Sequence, residues 1–233
     1  MAGRQPFGVA IDQLSRAHEQ SSSLCDPFLT VVPVDGAVVS TFGAPFGAET
    51  VCASDQKSAR FDELQLDLGE GPGWDALRTG LPVAVHDIRS GTESLWPALL
   101  SAVGGVGIRG VSAFPLMMGS LMIGAVGLYS WNPGTLTPPE RLDASMLASI
   151  VAKQVLRRAL NAQTFTSPEG DNESYSRRVV HQATGMVLAQ LNLSAADALL
   201  IIHGHAFSNG RTVRDVAADV VARRLDLSSL LDS

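Results

Sequence analysis

Apolar residues recur along this chain with two periods, and each change of period marks a new element. Phe7, Ala10, Ile11, Leu14 and Ala17 fall at helical spacing and predict a helix over Phe7–Gln20. Asp35-Gly36 reads as a turn, with a strand over Ala37–Phe42 after it and an antiparallel partner over Gly47–Ala53. A second helix is expected from Ser58 or Ala59 to Leu68. Gly69-Glu70-Gly71-Pro72-Gly73 then makes a tight bend. A short helix over Asp75–Thr79, a short strand over Pro82–Asp87 and a helix over Leu95–Val103 follow. Val111–Leu116 and Leu121–Trp131 are apolar strands separated by a Gly119-Ser120 turn.

Thr137-Pro138-Pro139-Glu140 is a helix start, with Thr as cap, Pro in the first turn and Glu closing a capping box. The helix runs to about Ala162. Its stripe of Leu142, Met146, Leu147, Ile150, Val151, Val155 and Leu160 is wide enough to pack on the sheet and to meet a second helix. One expectation is a homodimer joined through Leu142, Leu147, Val151 and Val155, with the helix near Phe7 as partner within the chain or across the dimer. The other is that the stripe packs only on its own sheet. Thr164–Asn172 (TFTSPEGDN) is a linker by composition. It sets a sheet domain at 5–163 apart from a helical domain at 173–230.

Three helices are expected in the second domain. The first carries Val180, Ala183, Val187 and Leu191 on one side. The second and third open on Ser194 and Thr212, each with an Asp three residues on, so that side chains satisfy the orphan N–H groups of the first turn. The apolar side of the third is Val213, Val216, Ala217, Val220 and Val221. At 100° per residue, the face of the first helix turned from its core holds Arg178, His181, Gln182, Gly185 and Ala189. A glycine inside a helix costs about 1 kcal/mol relative to alanine. Gly185 therefore implies a close approach, either by a packed helix or by a nucleic-acid strand.

Charge sharpens this picture. The chain has a net charge of −6, which suits nucleic acid poorly. Residues 173–233, however, carry six cations and six acidic residues, and all six cations are Arg. Arg forms planar, bidentate contacts with phosphates and base edges. Arg177, Arg211 and Arg214 flank the face described above. No apolar run reaches the roughly 18 residues of a membrane span, and no apolar signal core opens the chain, so a cytoplasmic location is expected. Cys25 and Cys52 are expected as two ordinary thiols in a reducing compartment. His18 and His86 stand at no metal-ligand spacing, and no nucleophile–base pair is visible. The glycine-rich bend lacks the Gly-Lys-Ser/Thr of a phosphate loop. Neither a metal nor a catalytic residue is expected, and no cofactor is indicated.

The stretch RRVVHQATGMVLAQLNLSAADALLIIHGHAFSNGRTVRDVAADVV is similar to the ANTAR domain, a three-helix RNA-binding module of bacterial antitermination regulators. The resembling features are Ala183 and Gly185, Ala198 and Ala206, and Val216-Ala217 in their order and spacing. Thr184 and His203 stand where that family commonly has basic residues. The block LQLDLGEGPGWDALRTGLPVAVHDI with GVSAFPLMMGSLMIGAVGLYSWNPGTLTPPE resembles a GAF domain of the kind that precedes ANTAR modules. Phe61-Asp62-Glu63 does not meet the pattern of the cyclic-nucleotide-binding subtype, and Gly73 replaces a cysteine that relatives often carry. The resemblance implies an α+β fold: an antiparallel sheet flanked by helices, followed by a small three-helix domain. It also implies a sensor or dimerising domain, with a small-molecule ligand, controlling a domain that binds paired hairpin loops in nascent RNA. Arg177, Arg178, His181, Gln182, Gly185, Arg211 and Arg214 are then the RNA-contact candidates. The alternatives are a DNA-binding regulator and a GAF-type redox enzyme with a helical dimerisation tail. The first needs a recognition helix after Leu227, where six residues remain; the second needs more clustered cysteines.

Overall fold

The computed structural model describes residues 4–17, 23–42, 46–90, 95–164 and 172–227. The chain divides into two compact units, Met1–Thr166 and Ser167–Ser233. In the first unit, α1 (Arg4–Ser15) and α2 (Asp26–Val31) precede β1 (Gly36–Thr41) and β2 (Glu49–Ala53). Then come α3 (Gln56–Leu68), α4 (Pro72–Thr79), β3 (Val83–Val85), α5 (Pro97–Ala102), β4 (Gly110–Met118), β5 (Leu121–Ser130) and α6 (Pro138–Thr164). The five strands form one antiparallel sheet in the order β2-β1-β5-β4-β3.

Alternation along the strands sends residues to two separate cores. Ala37 and Val39 face a layer of α1, α2 and α6, where Leu14, Phe28, Leu147 and Val151 are fully buried. Val38 faces the other way, into a cluster with Phe61, Ile88, Trp96, Leu99 and Tyr129 under α3 and α5. This second face is filled by large side chains. Tyr129 lies over Gly127, where any Cβ would meet its hydroxyl at 2.2 Å.

The two-sided packing corrects the expected dimer seam. Leu147, Val151 and Val155 are enclosed by their own sheet and by α1, and of the four proposed residues only Leu142 stays open, at 62%. The helix near Phe7 is the partner within the chain; α6 Gln154 donates to the Ser15 carbonyl at 3.1 Å. A helix stripe read from spacing alone does not reveal how much of its width the sheet consumes.

The thiol expectation is also corrected. Cys25 and Cys52 form a disulfide, with Cα atoms 6.3 Å apart. Cys25 is the residue before α2, a six-residue helix that the hydrophobic spacing does not announce. That helix brings Cys25, fully buried, to the edge strand β2. By loop-closure entropy alone, a bridge across 27 residues contributes about 3–4 kcal/mol.

The glycine-rich bend is structural, as its composition predicts. Gly69 and Gly71 adopt φ of 66° and 131°, ending α3 and starting α4. Glu70 accepts from the Leu99 N–H at 2.6 Å and so satisfies the start of α5. Gln65 accepts from the Gly73 N–H at 2.9 Å and donates to the Tyr129 hydroxyl at 3.2 Å. Beside this chain lies Asp62 of α3, fully buried. One of its oxygens accepts from Ser40 at 2.5 Å and Thr50 at 2.6 Å, tying α3 to β1 and β2. Burial outweighs these hydrogen bonds and pushes its carboxyl up to about 6. At the far end of the sheet, Arg109 grips Asp87 with two N–H groups at 2.9 and 2.5 Å, holding that carboxyl well below its usual range.

The second unit is α7 (Asn172–Leu191), α8 (Ala195–Ser208) and α9 (Val213–Val221). Ser194 accepts from the Asp197 N–H and Thr212 from the Asp215 N–H, each at 3.1 Å, so both caps form as read. Val179, Ala183 and Val187 meet Ala198, Ile202 and Ala206 and the Val213–Val216–Ala217–Val220 side of α9. Val179 occupies the place expected of Val180, which is half-buried, as is Val221. Alanines at four of these core positions let three short helices approach closely.

Candidate nucleic-acid interface

The outward side of α7 is open where the helical projection put it. Gln182, Gly185 and Ala189 are exposed, and a Cβ at Gly185 would meet nothing within 4 Å. Gly185 thus makes no close helix contact among the described residues. Arg177, Arg178 and His181 belong to the same helix, but their side chains lie outside the described residues, as does His18. Thr184, where a basic residue was noted as usual, is turned inward. It is 9% exposed, and its hydroxyl donates to the Val180 carbonyl at 2.8 Å.

The edge arginines separate into two kinds. Arg214 is exposed in the first turn of α9. Arg211 is engaged: its Nη2 donates to Asp219 at 2.5 Å. The same carboxylate accepts from Nε of Arg224 at 2.8 Å, so one acid holds two guanidinium groups. Hydrogen bonds from Arg211 and then Arg224 lower the Asp219 carboxyl below its ordinary value. The end of α9 closes with the Arg224 N–H on the Asp219 carbonyl at 2.8 Å and the Arg223 N–H on the Val220 carbonyl at 3.0 Å. In this closure Arg223 takes φ of 56°, a conformation that usually selects glycine.

Arg224 and Arg223 were not singled out from the sequence, nor was Phe207. Spacing along one helix cannot show that a cation beyond its end folds back onto its last turn. Phe207 is 58% exposed on α8. An apolar side chain carries no local sign of whether it is covered.

Among the described residues, no cluster of His, Cys, Asp and Glu could hold a metal. No helix among them is long and apolar enough to cross a membrane. The first unit has an open depression of about 260 Å³ near Pro33, Asp35 and Gly134, and one of about 390 Å³ near Pro82, Phe114 and Leu142.

The chain thus joins a five-stranded antiparallel sheet, covered by helices on both faces, in sequence to a three-helix unit with one open polar face. Residues 172–221 match the family model described as "ANTAR domain", so the second unit is an ANTAR domain. The first unit is similar in fold to the crystal structure of the GAF domain from Acinetobacter phosphoenolpyruvate-protein phosphotransferase. The two share 11% identity, with a TM-score of 0.50 over 69% of this chain and 96% of that one. It is also similar to the GAF domain of the cyanobacteriochrome TePixJ, at 20% identity and a TM-score of 0.47 over 64% and 95%. No curated protein matches the chain in sequence. The arrangement is GAF-like followed by ANTAR.

Proposed function

We propose that this protein is an RNA-binding transcription antitermination regulator, in which the GAF-like unit governs an ANTAR domain that binds hairpin loops in nascent RNA. The observation that carries this reading is the open face of α7 within a chain segment that matches the ANTAR family. Gln182 supplies hydrogen-bonding groups there, and Gly185 leaves room for a strand to come close. RNA loops present unstacked bases to such groups. Arg178 and His181 stand on this face by helical projection. Arg214, and Arg177 by its place in α7, add phosphate contacts.

Paired loops require two modules, and hence a homodimer. With Leu147, Val151 and Val155 buried in their own core, the contact falls to the outward side of α6, where Leu142 and Met146 are 62% and 43% exposed. Leu142→Glu together with Met146→Glu converts a dimer to a monomer in sedimentation without changing the melt, since neither side chain supports the fold. A monomeric parent at tens of micromolar removes the dimer.

The direct test titrates the protein against a pool of tandem-hairpin RNAs with randomised loops and against duplex DNA. Binding to hairpin RNA, weakened by Gly185→Leu with the helical circular dichroism intact, supports the reading. Preference for duplex DNA, or turnover of methionine sulfoxide, overturns it. The reading places neither a catalytic group nor a metal in the protein.

A further inference from the structure

A second helix glycine carries more information than Gly185. Gly204 lies in the third turn of α8, is exposed, and has no atom within 4 Å of the position a Cβ would take. Neither a backbone turn nor a packed neighbour among the described residues accounts for it, and glycine there disfavours the helix. Three residues on is Phe207, at 58% the exposed aromatic of the ANTAR unit's described residues. A long side chain in a helix leans back over the turn before it, toward residues three and four positions earlier. For Phe207 those are Gly204 and His203. No side-chain atom of Phe207 lies within 4 Å of the Cβ position at Gly204, so glycine keeps the surface beside the exposed ring open.

The chain then turns sharply at Gly210, with the Gly210 N–H on the Phe207 carbonyl at 3.2 Å and the Arg211 N–H on the Ala206 carbonyl at 2.9 Å. Arg211 follows this turn, four residues after Phe207, and shares Asp219 with Arg224. One carboxylate between two guanidiniums leaves an excess positive charge within the trio, and each guanidinium has more N–H donors than it uses on Asp219. Exposed Arg223 and Arg214 lie at the two ends of the same helix.

We propose that exposed Phe207, with open surface at Gly204 one turn before it, is a stacking surface for an unpaired RNA base, and that Arg211 and Arg224 hold the phosphate beside that base. The site lies on α8 and at the ends of α9, apart from the α7 face, and it rests on the RNA-binding reading above. Single-stranded nucleic acid is recognised by this pairing of an aromatic face with guanidinium groups that track the backbone. Phe207 and Leu200 also offer a protein partner apolar area, and arginine suits protein interfaces too, so a protein contact is the other outcome of the test.

The experiment uses the full chain and the tandem-hairpin RNA selected from the randomised pool, with a matched RNA carrying abasic loop positions. Phe207→Ala weakens binding about 5- to 100-fold, the range of one lost stacked base. Phe207→Tyr restores parent affinity, because stacking needs the ring alone. Gly204→Met covers the ring and weakens binding while favouring the helix. Arg224→Gln weakens binding and makes the salt dependence shallower. On the abasic RNA, the parent and Phe207→Ala bind alike. Parent-like RNA affinity of Phe207→Ala and Gly204→Met overturns this inference and leaves the α7 reading standing. A change in oligomeric state with unchanged RNA affinity overturns it in favour of a protein contact. A parent chain that binds no RNA of the pool overturns both readings together.

Discussion

The two units solve the same problem, enclosing a core, with opposite use of polar groups. The GAF-like unit puts its polar chemistry inside: Asp62 between two hydroxyls, Gln65 between a backbone amide and a phenol, and a disulfide from helix layer to edge strand. The ANTAR unit is closed mainly by alanines and valines, and apart from inward Thr184 most of its described polar groups, with Phe207, stand outside. A sheet with five strands and six helices has enough interior to hold satisfied polar groups, and these fix its layers. Three helices do not, so most of their described polar groups are surface groups on a small frame. Disturbing the first unit should therefore appear as stability. Disturbing the outer surface of the second should appear as binding.

The largest effect separating the units comes from the disulfide. Cys52→Ser, or reduction, lowers the stability of the GAF-like unit by about 3–4 kcal/mol. Thermal melts with and without a dithiol reductant read this directly, and the ANTAR unit's helical signal at a given temperature stays unchanged. An identical melt under both conditions means the bridge does not constrain the unfolded chain.

The next effect belongs to Asp62. Burial pushes its folded carboxyl up to about 6, above the ordinary aspartate value of 3.8. The folded state therefore holds its proton more tightly, and this contribution to stability is fully present below about 3.8 and lost as pH rises through 6. Asp62→Asn keeps an oxygen for Ser40 and Thr50 without ever ionising. Relative to the parent it gains on the order of 2–3 kcal/mol between pH 4 and 7. Parallel denaturation curves at pH 4.5 and 7 for parent and variant would show Asp62 has no such burden.

Smaller effects lie in the second unit. Thr212→Ala removes the α9 cap and costs about 1 kcal/mol. Urea unfolding followed by circular dichroism measures it. Gly185→Ala does the reverse, stabilising α7 by up to about 1 kcal/mol because a Cβ there meets nothing. If Gly185→Ala destabilises instead, an interface covers that face in the folded protein.

Several elements were legible before any coordinates. Helix starts at Thr137, Ser194 and Thr212 were readable because capping is local: cap and partner lie three residues apart. The bend at Gly69–Gly73 and the open face at Gln182 and Gly185 were readable for the same reason, from turn chemistry and from 100° projection. The six-residue α2 was not, because one and a half turns show no period.

What the sequence by itself determined is the order of elements other than α2, the division into a sheet unit and a helical unit, and the outward face of α7, since each depends on residues close in the chain. The tertiary structure decided everything that depends on distant segments meeting. It joined Cys25 to Cys52, buried Leu147, Val151 and Val155 where a dimer seam was expected, and placed Asp62 beneath two strands. It also folded Arg224 back to share Asp219 with Arg211 and left Phe207 in the open. Hydrophobic spacing says that a residue is apolar and which side of its helix it occupies. Whether that side is covered depends on the area the neighbouring layer spans, and no local pattern carries that quantity.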